Sequence, residues 1–213
     1  MIIKDIKSIS DVGSAFLAYF YFDFKDTEKQ DSRALLSSLL VQLSNQSDQF
    51  CDVLHGLYSE HQDGSQQPNH ASLLRCLKGM LAVASSGPVY LVMDALDECP
   101  NDSGMPSSRE KVLMTVQELV KLRHSNLHLC VTSRPEYDIR ITLEPLVTQQ
   151  VSLHDECGQK QDIIDYITSV VHSDGKMKQW RDAEKDMVVE ELTAKADGMY
   201  EHLQLIIMRT VVL

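Results

Sequence analysis

The sequence predicts an α/β fold with a parallel sheet flanked by helices, on the evidence of segment type, segment order and loop composition. Short apolar segments rich in β-branched or aromatic residues occur at Phe16–Phe22, Val89–Met93, Leu127–Val131 and, more weakly, Gln149–Leu153. The first three are apolar on both faces, as strands buried in a parallel sheet require. Between and after them run segments with helical spacing, and the connecting loops Glu60–His70 and Cys99–Ser108 are polar. Strand, helices, strand, helix, strand, helix, strand, helices is the order of an α/β protein.

Each helix rests on its own stripe. Leu35, Leu36, Leu39, Leu40 and Leu43 form the first, with Asp31 or Ser32 placed as its cap. Phe50, Val53, Leu54, Leu57 and Tyr58 form the second, and Leu73, Leu74, Leu77, Met80 and Leu81 the third. Val112, Leu113, Val116, Leu119 and Val120 form the fourth. Past the last strand, Ile163, Ile164, Ile167, Val170 and Val171 repeat the spacing. Met187, Val188 and Leu192 suggest a further helix, and Met199–Leu213 the start of another. A soft boundary falls near Asp155–Gly158, dividing an α/β core (1–155) from a helical segment (156–213).

Composition excludes several functions. With 213 residues, 43% hydrophobic and 24% charged, the chain has material for a sizeable core. Its net charge of −11 disfavours a dedicated nucleic-acid binder, which needs a basic face. No apolar run is long enough for a membrane span, and MIIKDIKSIS lacks the apolar core of a signal peptide. The five cysteines include no CxxC pair, which fits a reducing, cytoplasmic setting.

Candidate chemistry concentrates in two places. In Val89–Pro100, VYLVMDALDECP, an apolar strand ends in Asp94, with Asp97 and Glu98 just beyond. Ligands of open α/β sheets bind at the carboxyl ends of strands. A carboxylate there can hold hydrated Mg²⁺, and a second acid can orient an attacking water. The plainer alternative is that Asp94 ends the strand and Asp97 caps a turn. In Leu127–Pro135, LHLCVTSRP, a second strand ends in Thr132, Ser133 and Arg134. Hydroxyls and a guanidinium suit a terminal phosphate, since Arg offers two donors side by side. A surface Arg before a strand-stopping Pro accounts for the same letters. His124 and His128 straddle a turn into a strand without a zincin Glu, no serine sits in a GxSxG, and Cys99 and Cys130 read as inert buried thiols.

VYLVMDALDEC followed by LCVTSRPE resembles the Walker B and sensor-1 segments of NACHT-type P-loop NTPases, nearest to the fungal nephrocystin-like N-terminal group. FLAYFYFDFKDTEKQDSRALLSSLLVQL is similar to the stretch after the P-loop in that group, and KADGMY to the start of its first helical subdomain. The resemblance spans roughly Met1 to Tyr200. It implies a STAND-class signalling switch that binds Mg²⁺ with ATP or GTP, oligomerises, and meets protein partners rather than nucleic acid or membrane. Asp94 would be the Mg²⁺ aspartate, and Asp97, with Glu98 beside it, the water-orienting acid. Thr132, Ser133 and Arg134 would sense the γ-phosphate.

One departure dominates. No GxxxxGK[ST] occurs, and the nine glycines never come closer than eight positions apart, so no glycine-rich phosphate loop can form. Two readings follow: a truncated NACHT module without autonomous hydrolysis, and a P-loop-less pseudo-NTPase acting through protein contact. A third, a Mg²⁺-dependent nuclease or phosphatase using the acids directly, is disfavoured by the acidic charge and the sensor-like TSRP. The resemblance also implies strand order 5-1-4-3-2 with the P-loop strand central and, here, missing. Leu127–Val131 and Gln149–Leu153 would then pair directly or leave an open slot. Another segment of the chain inserted there as a well-paired central strand would refute the truncated-module reading.

Overall fold

The computed structural model describes residues 2–11, 14–84, 87–152, 157–173, 175–177, 180–200 and 204–209. It divides into two compact units, Met1–Gln150 with Ile206–Leu213, and Val151–Leu205.

The first unit holds the sheet. Its elements are α1 (Ile2–Asp11), β1 (Phe16–Tyr21), α2 (Ser32–Ser44), α3 (Asp48–Glu60), α4 (His70–Val83), β2 (Val89–Asp94), α5 (Ser108–Lys121), β3 (Leu127–Ser133), α6 (Tyr137–Leu143) and β4 (Gln149–Ser152). β1 pairs with β2 and β2 with β3, both in parallel, so Ala18, Leu91 and Leu129 form one row and Phe20, Met93 and Val131 the next. These rows are buried and join Leu35, Leu36, Leu39, Leu77, Met80, Val112 and Val116 from α2, α4 and α5 in one core. The alternate residues of the strands, Tyr90, Asp94, His128, Cys130 and Thr132, are half-buried, and Tyr90 stacks on His128 with centroids 4.7 Å apart.

Helix ends follow local chemistry. Asp31 caps α2 by accepting the Ala34 N–H at 2.7 Å, as the sequence suggested. Asn69 caps α4 through the Ser72 N–H, and Ser107 with Glu110 forms a capping box on α5. The outer edge of β1 is covered by α2. Gln42 accepts the Tyr19 N–H at 3.0 Å and donates to the Tyr19 carbonyl at 2.7 Å. Gln46 does the same for Leu17 at 2.9 and 2.7 Å. Two side-chain amides thus stand where a neighbouring strand's peptides would be.

The second unit contains α7 (Cys157–Ser173) and α8 (Asp182–Tyr200), which pack on each other. Here the structure corrects the sequence reading. The segment from Met199 is not the start of a further helix: α8 ends at Tyr200, and Gln204–Arg209 is a strand, β5. The run LQLIIM carries paired Ile residues, which favour strand over helix. The sheet order is β1-β2-β3-β5-β4, so β5 lies between β3 and β4. β3 and β4 therefore neither pair directly nor leave an open slot between them, the two arrangements the sequence led us to expect. Leu153, Asp155 and Glu156 of the expected last strand and domain boundary lie outside the described residues.

Candidate functional site at the carboxyl ends of the strands

The site begins where β2 stops. Asp94 accepts a hydrogen bond from the Thr132 hydroxyl at 2.5 Å, and Thr132 Oγ1 accepts the Ala95 N–H at 2.9 Å. One hydroxyl therefore ties the end of β3 to both the carboxylate and the main chain after β2. Ala95 turns the chain in the left-handed region, at φ 55° and ψ 48°, a conformation that costs an L-residue with a Cβ. The 3-10 turn Leu96–Glu98 follows, closed by the Glu98 N–H on the Ala95 carbonyl at 2.9 Å.

This turn sends the two further acids in different directions. Asp97 is 11% exposed; its carboxylate accepts the Arg134 N–H at 2.9 Å and lies 3.5 Å from Arg134 Nε. Glu98 instead accepts the Phe24 N–H at 3.1 Å, fastening the loop after β1. Ser133 is buried and its hydroxyl donates to the Arg134 carbonyl at 2.8 Å, so it faces its own chain. The structure thus brings Asp94 together with Thr132, and Asp97 with Arg134, while Glu98 and Ser133 bond elsewhere. Asp23, another acid at this end of the sheet, accepts the Lys25 N–H within its own loop.

One residue was not singled out in the sequence. Arg109 of α5 donates from Nε to the Cys99 carbonyl at 2.8 Å and from Nη2 to the Asp97 carbonyl at 2.7 Å. Its Nη1 reaches both carboxylate oxygens of Asp138 at 3.3 and 3.4 Å. Position 109 falls on the stripe that continues through Val112, Leu113 and Val116, and a cation there is the signal that could have found it.

A cleft of about 370 Å³ opens over these groups, lined among others by Phe24, Gln30, Asp97, Arg109, Arg134 and Glu136. Phe24 and the Arg134 side chain are each 63% exposed at its rim. Cys99, which lines the cleft, and Cys130 of β3 are poor nucleophiles. Burial first of all pushes the Cys99 thiol up to about 12. Burial, then the Asp94 carboxylate, pushes Cys130 up to about 11. Both stay protonated at neutral pH, as expected of inert thiols.

Mg²⁺ takes about six oxygen ligands and usually sits on one or two carboxylates, waters and substrate phosphates. Asp94 is half-buried with one oxygen already taken by Thr132, and among the described residues no group of three His, Cys, Asp or Glu could hold a metal ion.

A parallel α/β sheet whose polar residues meet at the carboxyl ends of adjacent strands places the chain among α/β proteins with a crevice at the strand ends. More particularly, it belongs to the nephrocystin 3 N-terminal family, whose sequence model matches residues 1–134. That match ends at Arg134 and so includes Asp94, Asp97, Glu98 and Thr132. No curated protein and no solved structure matches the chain. Among the described residues, no helix is long and apolar enough to cross a membrane.

Proposed function

We propose that the chain is a NACHT-type, STAND-class core that carries Walker B and sensor-1 elements without a phosphate loop and does not hydrolyse ATP or GTP on its own. The observation supporting this is the pairing at the strand ends, Asp94 with Thr132 and Asp97 with Arg134. In this reading Asp94 is the metal-facing acid, Asp97 the water-orienting acid, and Arg134 the phosphate sensor. The chain works in the cytoplasm through protein partners or self-association.

The same contacts favour one form of this reading, a pseudo-NTPase module. Both functional acids of the turn are engaged by protein groups, Asp97 by Arg134 and Glu98 by Phe24.

A phosphate loop supplies several backbone N–H donors and a lysine. At roughly 1.5–3 kcal/mol per charged hydrogen bond, losing three removes about 4–9 kcal/mol. At 1.4 kcal/mol per decade, a micromolar site falls to about millimolar or weaker. Calorimetric titration with MgATP and MgGTP is expected to show no saturable binding below about 50 μM. Joining a GxxxxGK[ST] strand, loop and helix ahead of Met1 is expected to create binding that Asp94→Asn weakens. Tight binding by the unaltered chain, or binding indifferent to Asp94→Asn after the addition, would overturn the proposal.

A further inference from the structure

Arg109 has no counterpart in the motifs that drew attention to the site, yet it makes the densest set of contacts around the acidic turn. Its side chain is only 10% exposed. A buried guanidinium must spend its donors on acceptors in fixed, coplanar directions. Here those acceptors are two main-chain carbonyls of one turn, Asp97 and Cys99, and one carboxylate, Asp138, from α6. The Arg109 N–H also donates to the Pro100 carbonyl at 3.1 Å, so side chain and main chain grip the same loop. Asp138 balances the buried charge, which otherwise would be costly.

The consequence concerns where Asp97 points. Its carbonyl is held by Arg109 and its carboxylate meets the Arg134 N–H. Fixing the first narrows where the second can reach, because the side chain leaves the same main chain and only its two χ torsions remain, each confined to a few wells. We propose that Arg109 is a positioning residue, which holds the main chain of Asp97 so that its carboxylate is aimed at the end of β3, with Asp138 as its anchor on α6. The proposal rests on the reading of Asp97 as the working acid, but its consequence is visible without nucleotide. Lysine cannot substitute, since a single ammonium lacks the fork that spans two carbonyls and a carboxylate.

The test is site-resolved amide exchange by NMR on the full, nucleotide-free chain. Asp97→Ala removes the acceptor of the Arg134 N–H, and its exchange is expected to accelerate by about tenfold or more, the worth of a hydrogen bond to a charged group. Arg109→Lys is expected to accelerate the same amide comparably although Arg109 does not touch it. The Arg109→Lys/Asp97→Ala double variant is expected to go no further than Asp97→Ala, with Leu91 and Leu129 amides unchanged in all. Asp138→Asn, which keeps an acceptor for Nη1 and leaves both carbonyl bonds in place, is expected to give a smaller acceleration at Arg134 and serves if Arg109→Lys does not fold. Acceleration confined to residues 97–99, additive effects in the double variant, or an Arg134 amide indifferent to Asp138→Asn would overturn the proposal. A chain that passes here and yet binds MgATP tightly keeps Arg109 as the positioning residue and loses the proposed function instead.

Discussion

At the scale of single residues, the end of β2 concentrates local cost and local payoff. Ala95 occupies the left-handed region at φ 55°, worth about 1–2 kcal/mol against a residue with a Cβ. Ala95→Gly relieves that strain but adds freedom to the unfolded chain, worth about 0.4–1 kcal/mol. The net expectation is a gain of roughly 0.5–1 kcal/mol in a urea melt, by the difference of those terms. A loss would mean that the turn is not left-handed in solution. Thr132→Val tests the opposite sign, since it leaves Asp94 without its donor and the Ala95 N–H without its acceptor. The expected cost is about 1–3 kcal/mol, read in the same melt. Asp94 and Thr132 stood out as candidates in the sequence because both follow apolar runs. Their direct bond was not, since strand adjacency is set by tertiary register. Ser133 looked equivalent to Thr132 by residue type, but strand alternation sends it to the other face, where it is buried.

At the scale of elements, periodicity carried most of what could be read. The leucine stripe from Leu35 to Leu43 lies within α2, and the three strongest apolar runs became β1, β2 and β3. The short helix α6 was expected from segment order alone and had no stripe of its own, because its seven residues, YDIRITL, are too few to show a helical repeat and contain branched residues common in strands. Nor could the sequence show that Gln42 and Gln46 of α2 cover the edge of β1, since glutamine is unremarkable on a helix. Each replaces a strand partner, and Gln42→Ala or Gln46→Ala leaves one N–H and one carbonyl without it. Each is expected to cost about 1–3 kcal/mol, and the double variant to self-associate by light scattering, because an uncovered strand edge recruits other chains. A monodisperse double variant would show that the edge needs no cover. Between α4 and α5, Glu118 is flanked by Lys121 at 2.9 Å and Lys78 at 3.0 Å, whose hydrogen bonds hold its carboxyl down at about 2. A depressed carboxyl contributes stability above its ordinary value of 4.5 that disappears as pH falls toward 2. Glu118→Gln is therefore expected to flatten the acid limb of stability against pH in that window and leave higher pH with a constant offset. An unchanged acid limb would contradict the pairing.

At the scale of the whole molecule, the sheet poses a closure problem that composition alone does not solve. A parallel sheet with an empty central position exposes two rows of peptide groups, each unpaired group costing about 1–3 kcal/mol if buried. Against a net stability of about 5–15 kcal/mol, a few such groups suffice to unfold a domain. The order β1-β2-β3-β5-β4 answers this with a segment far along the chain, Gln204–Arg209, which local pattern had joined to the preceding helical region. That error has a physical source. A short apolar run takes its state from the partner it finds, and the partner strands here lie more than fifty residues earlier. Position in the sheet can be tested by proline, which removes a ladder donor and is tolerated at edges but not in central strands. Ile207→Pro is expected to abolish cooperative melting and give sticky, oligomeric material, whereas Gln150→Pro on the edge strand β4 is expected to be milder. If Ile207→Pro melts like the unaltered chain, β5 does not hold the sheet together.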